Sequence, residues 1–287
     1  MSNDAAETFE RLRPRLSKIA YRMLGSVADA EDLVQEAFLR WLDTDRDNIR
    51  EPEAFLRRVI TRLCLDYLKS ARIRRETYIG PWLPDPIVEA QEDIDDFTLP
   101  LMITLERLSP LERAAFLLHD VFDVNFKEVA EILNRDLAAC RQLASRAREH
   151  IRSSRPRFSV SGEHGLEIAA AFFTASRNGD MEYLQSLLAA DVIAYADGGG
   201  KTPASQHPIV GLNDVMQLHA SLSILFAENM SRLLNYGFIN GLPGFVSVEQ
   251  GNILQTTSLQ ISDEKIIRIY VMRNPDKLRH LRCRMFH

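Results

Sequence analysis

The sequence predicts a multidomain chain: two all-α domains, the second a helix-turn-helix, followed by an α+β domain. Three observations lead there. Apolar residues recur at spacings of three and four through the first half of the chain, the period of an amphipathic helix. Phe126 to Leu133, a break at Asn134-Arg135-Asp136 and a run to about Arg152 make two short helices with a tight turn between them, the helix-turn-helix pattern. From about Ser153 the pattern changes to helices followed by consecutive strands, which means α+β.

The first domain, residues 1–77, reads as helices throughout. Ser26-Val-Ala-Asp29 has the capping-box form, with Asp29 in place of the usual Glu. Val27, Ala30, Val34, Ala37, Phe38 and Trp41 then make one buried stripe. A second helix follows Pro52, at about Glu53 to Ser70, with Leu56, Val59, Ile60, Leu63 and Tyr67 as its stripe. Residues 78–100 are an acidic, proline-containing linker. Pro81, Pro84, Pro86 and Pro100 are incompatible with a continuous helix, which leaves room for one short helical turn.

The second domain, residues 101–155, resumes helices near Leu101. Ser109-Pro110-Leu111-Glu112 is a start signal: an N-cap Ser, Pro at the first helical position and Glu at the third. Asn134 can take the left-handed turn conformation and Asp136 can cap the next helix. After a second linker comes the third domain, residues 160–275. Helices are expected at Glu163 to Arg177, Asp180 to Leu188 and Asp214 to Ala227. Strands are expected at Leu233 to Ile239, Phe245 to Gln250, Ile253 to Ile261 and Lys265 to Arg273. Turns at Gly241-Leu-Pro-Gly244, Gln250-Gly-Asn252 and Ser262-Asp-Glu264 make them an antiparallel meander. Residues 276–287 form a basic tail.

Composition excludes several classes. Hydrophobic residues at 46% and charged residues at 26% of 287 suit globular domains rather than a disordered chain. There is no run of ~18 apolar residues to span a membrane, and Met1 to Arg15 lacks the apolar core of a leader peptide. Cys64, Cys140 and Cys283 lie far apart with no C-x-x-C. That argues against a disulfide framework or a cysteine zinc site and for the cytoplasm. The histidines show no metal spacing, so neither a metal nor a cofactor is implied.

The net charge of −5 argues at first against nucleic acid. Its distribution reverses that. The linker alone carries Asp85, Glu89, Glu92, Asp93, Asp95 and Asp96 and no base, whereas Ala54–Arg75 holds seven bases against Asp66 and Ala138–Arg157 holds six against Glu149. Arg58, Arg62, Asp66 and Lys69 lie opposite the apolar stripe of their helix, and Arg72, Arg74 and Arg75 extend the charge. Such a face can meet phosphates and a few bases; it can equally be a solvated face with Arg62 and Asp66 as an i,i+4 pair. Arg141, Ser145, Arg148 and Arg152 line one face of the second helix of the turn motif, flanked by Gln142 and Arg146, opposite Cys140, Ala144, Ala147 and Ile151. Arg and Gln there suit bidentate contacts to base edges in a major groove. Asp29, Asp32 and Glu36 form a polar face which spacing alone reads as solvated.

Here the residues reach a family. Asp29-Ala-Glu-Asp-Leu-Val-Gln-Glu-Ala-Phe38 resembles region 2.2 of extracytoplasmic-function sigma factors of bacterial RNA polymerase. Phe55 to Lys69 with the arginines after it is similar to regions 2.3 and 2.4, and Leu108 through Arg148 to region 4. The matches stand in the right order and cover about residues 1–155. The resemblance implies that Asp29, Asp32, Gln35 and Glu36 bind core RNA polymerase. It implies that Arg58, Arg62, Asp66, Lys69, Arg72, Arg74 and Arg75 lie at the −10 element of promoter DNA. Arg141, Gln142, Ser145, Arg146 and Arg148 would read the −35 element. Asn134 stands where many relatives have Gly.

Three further stretches resemble signatures of the subgroup with a fused SnoaL-like C-terminal domain. They are Trp82-Leu83-Pro84-Asp85-Pro86, Asp197-Gly198-Gly199-Gly200-Lys201 and Asn274-Pro275-Asp276-Lys277-Leu278. Asp85 replaces the commoner Glu. The resemblance implies a cone-shaped α+β domain of the nuclear-transport-factor-two type. That domain would contact the linker and the first domain and adjust activity in cis, so a separate anti-sigma factor is not expected. The tail from Arg273 holds five bases against Asp276, and it is expected to dock near the acidic linker partly by charge, through Arg279 and Arg282.

Some features mislead. Gly198-Gly-Gly-Lys-Thr202 fails the phosphate-loop spacing because Tyr195 stands where the first Gly belongs, and Pro203 follows rather than a helix. Asp197, His207, Asp214 and His219 could line a pocket as acid–base groups, but no pairing singles them out. Two rival classes remain: a helix-turn-helix repressor, and a SnoaL-type enzyme with a DNA-binding appendage.

Overall fold

The computed structural model describes residues 2–46, 49–89, 97–152, 162–228 and 231–285. The chain forms two compact units: residues 1–76 with 100–155, and residues 77–99 with 156–287.

The first unit is helical. α1 (Ser2–Leu24), α2 (Val27–Asp43) and α3 (Pro52–Glu76) pack as a trio. Gly25, at φ 69°, ends α1 and sends its N–H to the Tyr21 carbonyl at 2.7 Å. Ser26 then starts α2, its Oγ accepting from the Asp29 N–H at 3.3 Å. Phe9, Ile19 and Met23 of α1 close over Val34, Ala37 and Trp41 of α2 and Leu56 and Ile60 of α3, all buried. The Trp41 indole N–H donates to the Ala5 carbonyl at 2.8 Å, which satisfies the polar atom this burial isolates. α3 runs a turn and a half beyond the expected Ser70. Its Arg-rich end lacks an apolar stripe but contains only good helix formers, and no Gly or Pro intervenes before Gly80.

α4 (Leu99–Leu105) and α5 (Pro110–Phe116) follow. The capping box at α5 is complete: Ser109 Oγ accepts from the Glu112 N–H at 3.3 Å, and the Glu112 carboxylate accepts from the Ser109 N–H at 3.1 Å. One π-helical turn, Leu117–Val121, continues α5. α6 (Phe126–Leu133) and α7 (Leu137–Arg152) make the helix-turn-helix where the sequence placed it. Asn134 sits at φ 52°, ψ 53°, and Asp136 Oδ1 accepts from the Ala139 N–H at 2.8 Å.

The second unit is α+β, as a SnoaL-like domain implies. α8 (Gly162–Asn178), α9 (Met181–Leu187) and α10 (Leu212–Glu228) pack on a seven-stranded sheet. The strands are β1 (Val88–Glu89), β2 (Leu188–Asp197), β3 (Ile209–Val210), β4 (Arg232–Ile239), β5 (Leu242–Glu249), β6 (Ile253–Ser262) and β7 (Lys265–Met272), in the order β1-β4-β5-β6-β7-β2-β3. α11 (Arg279–Met285) ends the described chain. Phe172 of α8, Val215 of α10, Phe245 of β5, Leu259 of β6 and Ile266 and Ile269 of β7 form the core.

β4 to β7 are the expected antiparallel meander. Three features differ from expectation. β2 pairs parallel to β7, so the sheet is mixed; its Ala-rich sequence lacks clean alternation and reads as no strand. The β4–β5 turn is the pair Asn240-Gly241, at φ 48° and 70°, rather than Gly241 to Gly244. Gly244 answers a different need: a Cβ there would lie 2.1 Å from the Thr257 carbonyl oxygen of β6. Finally, the linker supplies a strand that the sequence did not announce, because β1 pairs antiparallel with β4; residues 90–96, where a short helical turn could fall, lie outside the described residues. Among the described residues no helix is long and apolar enough to cross a membrane.

Candidate nucleic-acid interface and linker clamp

α2 presents Asp32 and Gln35 to solvent, with Asp29 and Glu36 half-buried on either side. Glu36 holds Arg40 at 2.6 Å. Leu39, 60% exposed, adds an apolar side chain to this polar face.

α3 places Arg58, Arg62, Asp66 and Lys69 outward, as its apolar stripe requires. Lys69 pairs with Asp66 at 2.7 Å. The arginines instead reach α6: Arg58 meets Glu131 at 2.9 Å, and Arg62 donates to the carbonyls of Ile132 and Glu131 at 3.2 and 3.3 Å. Arg57, unremarked from sequence, meets Glu128 at 2.7 Å. A groove of about 580 Å³ runs beside these contacts, lined by Arg62, Asp66 and Lys69 and by Asn134 and Arg135 of the turn. Arg72, Arg74 and Arg75 belong to the end of α3, and their side chains lie outside the described residues.

α7 buries Cys140, Ala144, Ala147 and Ile151, and so exposes Arg141, Gln142, Ser145 and Arg146. Arg148 is half-buried and paired to Asp120 at 2.7 Å. The Arg141 guanidinium lies 5.9 Å from the Phe126 ring centre.

The three signature stretches meet in the second unit, on the carboxylate of Asp197. Asp197 is fully buried at the end of β2. It accepts from the Tyr78 hydroxyl (2.5 Å), the Leu83 N–H (2.9 Å), the Gly199 N–H (3.1 Å) and the Lys277 ammonium (2.9 Å). Lys277 also donates to the Leu83 carbonyl at 2.5 Å and lies 4.2 and 4.8 Å from the ring centres of Trp82 and Tyr78. Asn274 donates to the Tyr78 hydroxyl at 2.8 Å, and its Oδ1 accepts from the Asp276 N–H. Lys201 meets Asp276 at 2.5 Å. The glycines allow this closeness: a Cβ on Gly199 would stand 2.1 Å from Asn274 Nδ2, and Gly199 and Gly200 hold φ of 59° and 70°. Burial, then the Asp197 carboxylate, push the Tyr78 phenol far above its usual range.

A second hold on the linker comes from Asn240. Its N–H donates to the Ile87 carbonyl, its Oδ1 accepts from the Ile87 N–H, and its Nδ2 donates to the Asp85 carbonyl. His280 meets the Pro86 carbonyl at 2.8 Å. Leu83, Pro84, Asp85 and Pro86 are all buried, as is Leu278, while Pro275 is exposed. Tyr78, Asn240 and His280 escaped the sequence reading; the dipeptide Asn240-Gly241 was the one local signal for a special position. Among the described residues the tail holds the linker through Lys277 and His280; Glu92, Asp93, Asp95 and Asp96, the acidic residues that Arg279 and Arg282 were expected to meet, lie outside the described residues. Arg282 donates to the Asn252 carbonyl at 3.0 Å.

The four acid–base candidates do not make a site. Asp197 is committed to the linker, His207 and Asp214 are exposed, and His219 is buried edge-on to Phe172. Inside the unit, Arg177 pairs with Glu249 at 2.6 Å, and Ser231 and Ser247 also donate to that carboxylate. Burial alone would raise the Glu249 carboxyl, but Arg177 and these donors hold it below its usual value.

Sigma-70 region 2 matches residues 8–74, and Sigma-70, region 4 matches residues 100–151. The chain is 40% identical over 290 residues to the ECF RNA polymerase sigma factor SigJ of Mycobacterium tuberculosis, covering 94% of this chain and 91% of that protein. It is 32% identical to the probable ECF sigma factor SigI of the same species, covering 95% and 94%. The crystal structure of SigJ superposes with a TM-score of 0.74 at 35% identity, over 96% of this chain and 98% of that one. With both sigma regions present in order and the likeness running into the C-terminal unit, the chain belongs to the extracytoplasmic-function sigma factors of bacterial RNA polymerase.

Proposed function

We propose that the C-terminal unit of this sigma factor sets its activity in cis, in place of a separate anti-sigma factor, by holding the linker between its two sigma domains. In this reading Asp29, Asp32, Gln35 and Glu36 bind core polymerase. The outward face of α3, from Arg58 through Arg75, meets the −10 element and captures unstacked bases there. Arg141, Gln142, Ser145, Arg146 and Arg148 fix register at the −35 element through phosphates and base edges.

One observation supports the regulatory part: the linker stretch Tyr78–Leu83 and the stretch Asn274–Lys277 share the Asp197 carboxylate. A linker pinned over part of its length leaves less free chain for the two DNA-reading domains to separate. Release of the clamp returns that reach, so the equilibrium between clamped and free linker tunes initiation.

The test is run-off transcription with core RNA polymerase on a pooled promoter library. It compares the full chain, versions ending at Arg155 and before Asn274, and full-length Asp197→Asn. Clamp-dependent differences in transcript level support cis control and give its sign. Equal transcription from all four would sink it. DNA binding without polymerase, and no transcription from any version, would point to a repressor.

A further inference from the structure

Among the described residues, the arginines of α3 are already engaged within their own unit. Arg57 donates through Nε and one terminal nitrogen to a single Glu128 oxygen, at 2.9 and 2.7 Å. Arg58 meets Glu131 at 2.9 Å, and Arg62 caps the carbonyls of Glu131 and Ile132. All these acceptors belong to α6, the first helix of the helix-turn-helix. They are two carboxylates and the open carbonyl end of a helix, where the dipole is negative. A row of negatively charged oxygens along a rod is also what a nucleic-acid backbone offers to arginine.

We propose that α6 is a built-in stand-in for the promoter backbone: Glu128 and Glu131 compete with DNA phosphates for Arg57, Arg58 and Arg62, so α6 must leave before the −10 face can bind. This rests on the reading of α3 as the −10 surface. The latch is more than a pair of surface ion pairs. The Arg57 side chain is only 11% exposed and that of Glu128 only 20%. In the same unit Arg113 of α5, 3% exposed, donates to the Met23 carbonyl at the end of α1 at 2.6 Å and to Glu106 at 2.8 Å. Arg22 of α1 lies 5.1 Å from the Phe122 ring centre. The closed arrangement also puts Asn134 and Arg135, which join α6 to α7, against the groove beside Arg62 and Lys69. Closure therefore occupies part of the −10 face, while Arg141, Gln142, Ser145 and Arg146 of α7 stay exposed.

The latch would lower the idle binding of this chain to nucleic acid. Its arginines are matched internally by oxygens whose number and spacing a phosphate backbone can replace but a single counterion cannot.

The experiment uses the full chain with Glu131→Gln, an exposed side chain, and with Glu128→Gln/Glu131→Gln. Neither residue belongs to the polymerase-binding or DNA-binding sets. Spin labels on exposed positions of α3 and α7 report opening by pulsed dipolar spectroscopy. A mixed-sequence single-stranded oligonucleotide reports binding without polymerase, across a salt series. The expected result is a longer label distance and binding tighter by about fivefold for the single variant and more for the double. The salt slope should steepen by roughly 0.7 for each arginine released to a phosphate. An unchanged distance, or opening with unchanged affinity and slope, overturns the proposal. Tighter oligonucleotide binding by a variant, with no transcription from any version including the native chain, would instead sink the sigma-factor assignment of α3 and leave the latch standing.

Discussion

The Asp197 carboxylate and the Lys277 ammonium, eighty residues apart in sequence, meet at 2.9 Å in a place water hardly reaches: Asp197 is fully buried and the Lys277 side chain is 11% exposed. Tyr78 and Trp82 roof the pair with their rings. Tyr78 and Leu83 of the linker are thus attached to the C-terminal unit at a buried charge pair.

Removing one partner of such a pair strands the other charge. Lys277→Met is expected to lower the stability of the C-terminal unit by about 3 kcal/mol. Asp197→Asn, which retains a carbonyl acceptor, should cost less. Thermal unfolding measures the first effect, and limited proteolysis between Thr77 and Glu89 measures release of the linker. A Lys277→Met protein with native melting and no new cleavage contradicts the clamp.

Alkali should loosen the same node. The Tyr78 phenol, with an ordinary value of 10.0, is raised in the fold by burial and by Asp197. Above pH 10 the unfolded chain has released this proton while the folded chain keeps it, so the contribution is complete below pH 10 and falls as pH rises. Urea melts at pH 9, 10 and 11 should show a smaller decline for Tyr78→Phe than for the native chain. At neutral pH that substitution should cost about 1 kcal/mol for its lost hydrogen bonds.

Acid should act through His219. Burial, then the Arg177 charge, lower its imidazole from 6.5 to about 4. Its contribution is full above pH 6.5 and is lost as pH falls toward 4, where the unfolded chain binds the extra proton first. At ~1.4 kcal/mol per unit the whole effect is roughly 3 kcal/mol. His219→Gln should flatten stability between pH 6.5 and 4, as followed by near-ultraviolet circular dichroism of the melting transition.

On α7, Gln142→Ala and Arg141→Ala should each weaken discrimination at one −35 position by about 1–3 kcal/mol if they contact base edges. Arg148, paired to Asp120 at 2.7 Å, should affect all sequences alike, as a phosphate contact does. Competitive run-off transcription on single-base promoter variants separates the two patterns. A uniform loss for Gln142→Ala would reassign it to the backbone.

Asp32 is exposed on α2, so Asp32→Lys should change stability by no more than ~0.5 kcal/mol. Its affinity for core RNA polymerase should nonetheless fall several-fold, measured by fluorescence anisotropy of the labelled chain. Unchanged affinity would remove this face from the polymerase-binding set.

Much of the fold was legible from local chemistry. Ser109, Pro110 and Glu112 announce α5, and Asn134 and Asp136 announce the turn into α7, because the bonds involved close within three or four residues. Periodicity set the faces of α3 and α7 for the same reason. β2 was illegible because Leu188–Asp197 pairs parallel with β7 and owes its strand character to that neighbour rather than to alternation. The end of α3 was misplaced because helix formers without an apolar stripe look like the end of a helix.

The sequence by itself determined the order of the domains, the helix-turn-helix and the family, since those reside in short-range patterns and in motifs read along the chain. The tertiary structure alone decided what the motifs touch. Tyr78 reaches Asp197 across 119 residues, Asn240 reaches Asp85 across 155, and His280 reaches Pro86 across 194. It also turned the arginines of α3 toward the carboxylates of α6, 71 and 73 residues away. A charge in a sequence has a sign but no partner. Its partner is chosen only when the packed core brings distant backbone within about 3 Å, and burial then makes that choice costly to undo.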